Sequence, residues 1–364
     1  MKILYIINSL CGGGAEKLIK DMVPIISKKC YCEIVILFDE NDKYSELLRI
    51  NGIKVTKVPY KNNIKRFFFI KRYIEKGKFD IVHSHLFPSN YICAITKLLS
   101  NSKYPLFITT EHNTDNKRRH FKIFRPVEKY IYSLYDHVIS ISYETQACLL
   151  EWIKEDANDK YSVIYNGIDV SKFEKSIPYN KHDLYDNYKE GDIILCMIGS
   201  FTKQKNHPFV VEVMKELPHR FKLLLAGEGP LKNEIEKLVN ENNLADRIFF
   251  MGFRTDVDRI IRSSDVMLIP SKWEGFGLVA VEAMACGKNV VAFDVSGLSE
   301  VLGENGFKTK AEDKNQFVKA IYTAVSCLND RTIEYKLIQQ AEKYDIELMC
   351  MNYMKLYNDL LNRK

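Results

Sequence analysis

No run of about 18 or more apolar residues occurs in this 364-residue chain, so a bilayer-crossing helix is not expected. The apolar start, Met1 to Ile7, is too short and too soon followed by glycines to read as a signal peptide. The expected location is therefore the cytosol, with contact to the inner face of a membrane left open. Nine cysteines, an odd number scattered through apolar segments, do not form a disulfide framework. Cys30-Tyr31-Cys32 is a lone C-x-C without a second pair, so zinc is not expected there. Also missing are a solenoid-period repeat, a low-complexity tract, the P-loop pattern and the G-x-G-x-x-G fingerprint.

Charge is modest, a net +6, but unevenly placed. Residues 1–170 hold 26 Lys and Arg against 19 Asp and Glu, and the remainder 27 against 28. Two basic clusters interleaved with aromatics carry the excess. One runs from Lys61 to Lys78 and contains Arg66, Lys71 and Arg72; the other runs from Lys117 to Arg125 and contains Arg118 and Arg119. Such clusters suit an anionic membrane surface or a phosphate-bearing substrate, and equally a solvated helix face over core aromatics. Nucleic acid is not expected, because no motif for it accompanies them.

Short apolar runs alternate with amphipathic segments from end to end. Lys2–Ile7, Cys32–Phe38, Lys54–Val58, Ile81–His85, Leu106–Thr110 and His137–Ser142 read as one set of strands. A second set comprises Ile193–Ile198, Lys222–Ala226, Ile248–Met251, Val266–Ile269 and Val290–Phe293. This pattern predicts an α/β chain of two doubly wound parallel-sheet domains, residues 1–168 and 169–344. A polar, tyrosine-rich passage up to Gly191 reads as their linker, and residues 330–364 read as helical throughout. Ligands of such sheets bind beyond the carboxyl ends of the strands.

The densest chemistry follows Val266–Ile269. Pro270 ends that strand, and Glu274-Gly275-Phe276-Gly277-Leu278 leads into a helical stretch that contains Glu282 and stops at Gly287. A glycine turn at a helix amino end offers unpaired N–H groups to a phosphate, and the two glutamates could flank a ligand lying there. In isolation, they could as well be a capping acid and a solvated helix glutamate. Other glycine loops follow strands at Gly12-Gly13-Gly14, at Gly199-Ser200 with Lys203 and Lys205 close behind, at Gly227-Glu228-Gly229, at Gly252-Phe253-Arg254 and at Ser296-Gly297. Val82-His83-Ser84-His85 puts two imidazoles on one strand face, and His112 follows the next strand. Three histidines could hold zinc, although no ligand spacing supports it; hydrogen bonding to a sugar fits better.

Together these residues resemble the retaining glycosyltransferases of the GT-B fold, family 4, over most of the chain and most strongly from Tyr165 to Gly306. Glu274 and Glu282 match that family's E-x7-E motif. The resemblance implies two Rossmann-like domains facing across a cleft. The first binds acceptor and is completed by a last helix at about 345–364; the second binds a nucleotide-diphosphate sugar such as a UDP- or GDP-sugar. It implies donor-sugar contact by Glu274, ribose contact by Glu282 and phosphate binding by Phe276, Gly277 and Leu278. Lys205 would stabilise the diphosphate, and His85 would lie near the reacting sugar. Gly13 and Gly14 would close on the donor, Gly227 would line its site, and Phe253 and Arg254 would meet the base. Asn166-Gly167-Ile168-Asp169 resembles the interdomain segment. The family's usual arginine is replaced by Ser200, so Lys203 is the candidate second cation. No obligatory metal or cofactor is implied. The acceptor is expected to be a glycan or lipid-linked sugar in surface-polysaccharide assembly, with His112, Arg66, Lys71, Arg72, Arg118 and Arg119 on the acceptor or membrane side. A sugar-nucleotide epimerase on the same fold, a non-catalytic sugar-nucleotide-binding module and a three-histidine hydrolase are the competing readings.

Overall fold

Strands whose side chains are apolar on both faces become the centres of sheets covered on both sides. In a computed structural model of the chain, which describes residues 1–38, 42–100, 105–116, 118–185 and 188–363, Ile3 to Ile7 of the first strand are fully buried. Seven parallel strands form the first sheet: β1 (Lys2–Ile7), β2 (Tyr31–Ile36), β3 (Lys54–Lys57), β4 (Ile81–His85), β5 (Leu106–Glu111), β6 (His137–Ser140) and β7 (Tyr161–Val163). Their order is β3-β2-β1-β4-β5-β6-β7. Six more make a second parallel sheet: β8 (Ile193–Ile198), β9 (Phe221–Ala226), β10 (Ile248–Gly252), β11 (Val266–Ile269), β12 (Asn289–Phe293) and β13 (Phe307–Thr309). These run in the order β10-β9-β8-β11-β12-β13. Each sheet therefore reverses its winding once, between β1 and β4 in the first and between β8 and β11 in the second. Such reversals open a crevice at the strands' carboxyl ends.

The chain divides into two units, Met1–Gly167 with Ile346–Lys364, and Ile168–Asp345. The last helix, Ile346–Asn362, thus belongs to the first unit, where it packs on the helix Gly14–Ser27. Its Tyr353 and Tyr357 are fully buried in a core with Tyr5, Ile7 and Ile108. The helical tail is not continuous. It breaks between Arg331–Glu342 and Ile346–Asn362, where Asp345 bridges to Ile168 and the Ile168 N–H donates to the Tyr344 carbonyl at 3.0 Å.

The tyrosine-rich passage is packed structure rather than a free linker. The Tyr179 N–H donates to Ser263 Oγ at 2.7 Å, and the buried Tyr185 ring stacks on Phe249 at 4.5 Å between centroids. Aromatic rings of this size bury more surface than a solvated connector would forgo.

Candidate functional site

At the switch point of the second sheet, two loops meet. The loop after β8 is pinned by Phe201, which is buried and stacks on His207 at 4.1 Å between centroids. Its N–H donates to the Glu228 carbonyl at 3.1 Å, tying this loop to the glycine loop after β9. The fit there is close. A β-carbon on Gly227, whose φ is +152°, would lie 2.0 Å from the Gly199 carbonyl oxygen, and one on Gly229 would lie 2.6 Å from the Phe201 nitrogen. Only hydrogen fits at either position.

The loop after β11 is joined to the first by two hydrogen bonds. The Lys272 N–H donates to the Gln204 carbonyl at 2.9 Å, and Gln204 Nε2 donates to the Trp273 carbonyl at 2.8 Å. These contacts carry the flanking residues into register, so that Lys205 Nζ meets Glu274 Oε1 at 2.5 Å. Glu274 is mostly buried and Lys205 about four-fifths so, which makes this pair stronger than a solvated one. Behind it, a β-carbon on Gly297 would lie 2.4 Å from the Glu274 carbonyl oxygen and 2.8 Å from that of Gly275, so Gly297 fixes the height of the loop.

Gly277, at φ +89°, caps the helix Leu278–Ala285. The amino end of that helix carries unpaired N–H groups and the positive end of its dipole. The buried Phe276 ring turns inward onto Tyr344, at 5.3 Å between centroids and nearly perpendicular. Glu282 lies in the second turn and is buried. Gly287 follows the helix in the left-handed conformation expected of a terminating glycine. Ser200 and Lys203 are exposed on the rim of the β8 loop. Phe253 is partly exposed, whereas the Arg254 guanidinium is committed to Asp256 at 2.6 and 2.8 Å and to Tyr179 Oη at 3.0 Å. That pairing holds the Asp256 carboxyl well below its ordinary range.

The first unit presents a second constellation. His83 and His85 share a strand face with ring centroids 4.2 Å apart. His83 is saturated, Nδ1 with Tyr357 Oη at 2.7 Å and Nε2 with Thr110 Oγ1 at 2.8 Å. It is a structural link to the last helix. His85 Nδ1 meets His112 Nε2 at 3.0 Å, and His85 Nε2 is buried without a partner. An orphaned buried imidazole nitrogen is costly unless a ligand completes it. Burial pushes all three imidazoles down, His83 to about 3 and His112 to about 4, and neighbouring imidazoles add to the effect on His83 and His85. They are neutral at physiological pH. No group of three or more metal-ligating side chains comes together among the described residues. Gly13 caps the helix Gly14–Ser27 at the carboxyl end of β1, with Gly14 its first residue.

The basic clusters are less available than their composition suggests. Arg119 is buried and pairs with Glu111 at 3.2 Å; Arg118 donates to the buried Glu128 at 2.6 Å and lies 4.0 Å over the Phe87 ring. Buried carboxylates claimed these two cations, which removes Arg119 from any docking face. Lys117 lies outside the described residues. Arg66 lies over the Phe38 ring at 4.4 Å, Lys71 pairs with Glu75, and Arg72 is exposed. The solvent-facing surface is instead apolar. Phe121, Ile123, Phe124, Val127 and Tyr130 are all exposed, with the exposed Lys122 and Lys129 among them. Their spacing gave no sign of this, since a buried helix face would look the same.

Gln204 and the His83–Tyr357 link escaped the sequence reading as site-building features. Only the three-dimensional pairing of loops reveals them.

Two all-parallel sheets, each reversing once, define the GT-B class of glycosyltransferase fold. Anabaena HepE, solved in complex with UDP and glucose, superposes with a TM-score of 0.84 over 99% of this chain and 100% of its own, at 20% identity. The chain belongs to the glycosyl transferases group 1 family, which matches residues 185–344, with Glycosyltransferase Family 4 matching residues 12–172. An uncharacterized glycosyltransferase of Methanocaldococcus jannaschii is 30% identical over 306 residues, 80% of this chain and 78% of the relative. The Escherichia coli UDP-Gal:alpha-D-GlcNAc-diphosphoundecaprenol alpha-1,3-galactosyltransferase is 26% identical over 275 residues, 71% and 70% of the two chains.

Proposed function

We propose that this glycosyltransferase moves a sugar, with retention of anomeric configuration, from a nucleotide-diphosphate donor to a glycan or lipid-linked acceptor in surface-polysaccharide assembly. The observation that carries the donor site is the Lys205–Glu274 pair beside the helix that begins after Gly277. An arriving donor replaces one contact by two, with Lys205 turning to the diphosphate and Glu274 to the sugar hydroxyls. Negative charge grows on the leaving diphosphate as the anomeric bond breaks, and Lys205 with the helix amino end stabilises it. Exposed Lys203 supplies the second cation that Ser200 does not. Glu282 holds the ribose, and main-chain groups at Phe253 and Arg254 meet the base. The acceptor attacks from the face the diphosphate leaves, and a departing phosphate oxygen takes its proton. The family resemblance assigns His85 to the reacting sugar. The chemistry as written requires no metal. The Escherichia coli relative, whose name carries a diphosphoundecaprenol-linked sugar, supports the lipid-linked class of acceptor.

Incubation with UDP- and GDP-sugars and a polyprenyl-diphosphate-linked sugar, followed by NMR of the new linkage, tests this reading. An α-linked product from an α-donor is expected. A β-linkage overturns retention, and isomerised sugar from donor alone establishes an epimerase instead.

The same reading places the protein at the inner membrane face, through the exposed Phe121–Tyr130 surface with Lys122 and Lys129 at its edge. Burying two such side chains in lipid is worth about 3 kcal/mol or more. Ile123→Glu with Phe124→Glu should therefore lower co-sedimentation with anionic vesicles at least tenfold, while Arg72→Glu should have a smaller, salt-dependent effect. Unchanged sedimentation of the double variant would remove this surface from the membrane.

A further inference from the structure

Cys30 and Cys32 stand at the amino end of β2, the sheet edge opposite the glycine loop that follows β1. Side chains two apart along a strand share a face, and here the two sulfurs are 3.7 Å from each other, in contact but unbonded. Two residues of extended strand span about 6.7 Å between α-carbons, the upper end of what a disulfide can bridge. The chain bends at Cys30, whose N–H still donates to the Ile26 carbonyl at 3.3 Å, and the bend shortens that span.

The two thiols are not alike. Cys30 is partly exposed, whereas Cys32 is buried in the core that contains Tyr5 and, from the last helix, Tyr353 and Tyr357. A hydrogen bond from the Cys32 thiol lowers the Cys30 pKa; the same bond, with burial, raises that of Cys32. The thiolate is the reactive form of cysteine, so the sulfur that ionises first is the one that solvent reaches. Its neighbour is already at contact distance to trap whatever forms there. This division between an exposed attacking thiol and an adjacent resolving thiol is what reversible cysteine oxidation requires.

We propose that Cys30 and Cys32 form a peroxide-reactive site, in which Cys30 attacks the oxidant and Cys32 closes a reversible disulfide. The Cys30 thiolate forms an S–O bond as the O–O bond of hydrogen peroxide breaks, and the departing hydroxide takes up the proton Cys30 gave off, leaving a sulfenic acid and one water. The Cys32 sulfur then bonds to the Cys30 sulfur, the S–O bond breaks, and hydroxide leaves with the Cys32 proton as a second water. Two thiols lose two electrons and two protons, and the peroxide is reduced to two waters. The bridge draws the sulfurs to about 2.05 Å in a core that has little room to follow, so external dithiol reduces it readily.

Treating the full chain with hydrogen peroxide, blocking the remaining thiols with iodoacetamide and mass-analysing the digest tests this. The peptide carrying both cysteines should lose the mass of two hydrogens and regain it with dithiothreitol. Cys11, Cys148 and Cys327, also partly exposed, are internal controls and should oxidise about tenfold more slowly or less. Cys32→Ala should stop the reaction at a sulfenic acid on Cys30 that dimedone captures, and Cys30→Ser should leave Cys32 unoxidised. Phenylarsine oxide, which bridges adjacent thiols, needs no substitution: one equivalent should protect Cys30 and Cys32 from iodoacetamide in the unaltered chain. Oxidation of the pair no faster than the three controls, sulfinic acid at Cys30 without a bridge, or no protection by the arsenical would each overturn the proposal.

Discussion

Glu274→Gln should lower kcat/KM for transfer by about 10²–10³-fold, the range found when a group aimed at transition-state charge is removed. The substitution keeps the volume, and the glutamine oxygen can still accept from Lys205, so the loop after β11 should stay in place. What is lost is the full negative charge that sets Lys205 against the diphosphate and holds the sugar hydroxyls. Glu282→Gln should act differently. It sits one helical turn deeper and is buried, and on the proposed assignment it bonds the ribose. Losing a charge-assisted hydrogen bond there should weaken nucleotide binding about tenfold or more with little change in kcat. Titration calorimetry with the nucleotide alone, beside steady-state kinetics with donor and acceptor, separates the two. Equal and negligible losses would undo both roles.

Gly227→Ala should destabilise the second unit by about 3 kcal/mol or more, lowering its unfolding temperature by roughly 10 °C. Two terms combine: a backbone at φ +152°, and a β-carbon 2.0 Å from the Gly199 carbonyl oxygen. Carbonyl oxygens of a sheet-end loop have nowhere to retreat, because Gly199 N–H is bonded to the Ala226 carbonyl at 3.0 Å. Gly191→Ala is the control. Its φ is +93° with nothing within 4 Å of the added carbon, so it reports conformational strain alone, about 1 kcal/mol. Similar shifts for the two variants in calorimetry would show that the close approach contributes nothing.

Much of the architecture was legible because both faces of the central strands are covered. Val266–Ile269 and Ile193–Ile198 need no periodicity when every residue is apolar, and their bounds came out to the residue. Tyr161–Val163 and Phe307–Thr309 were not seen, since three-residue edge strands have too little sequence to distinguish them from loop. The split of residues 330–364 into two helices was hidden for a different reason. Lys343, Tyr344 and Asp345 are compatible with helix, and it is the pairing of Asp345 with Ile168, 177 positions earlier, that interrupts it. At the site, Glu274 and Lys205 were each legible as chemistry. Their direct contact was not, because it depends on β8 and β11 being neighbours at a reversal of the sheet. The second basic cluster misled in the opposite sense. Charge is visible in a sequence, but the buried Glu111 and Glu128 that consume it are visible only once the chain is folded.

The division of the chain sets the order in which its two halves can be finished. Everything the second unit needs lies between Ile168 and Asp345, whereas the first unit needs the last helix as well. Tyr5 and Tyr357, whose hydroxyls sit 3.4 Å apart, are separated by 352 positions, and His83 reaches its Tyr357 partner across 274. A chain emerging from the ribosome therefore holds Tyr5, His83 and Thr110 at an unfinished surface while the whole of the later unit is being made. The half begun first is completed last, and its closing loop encloses another domain that has already had the chance to form.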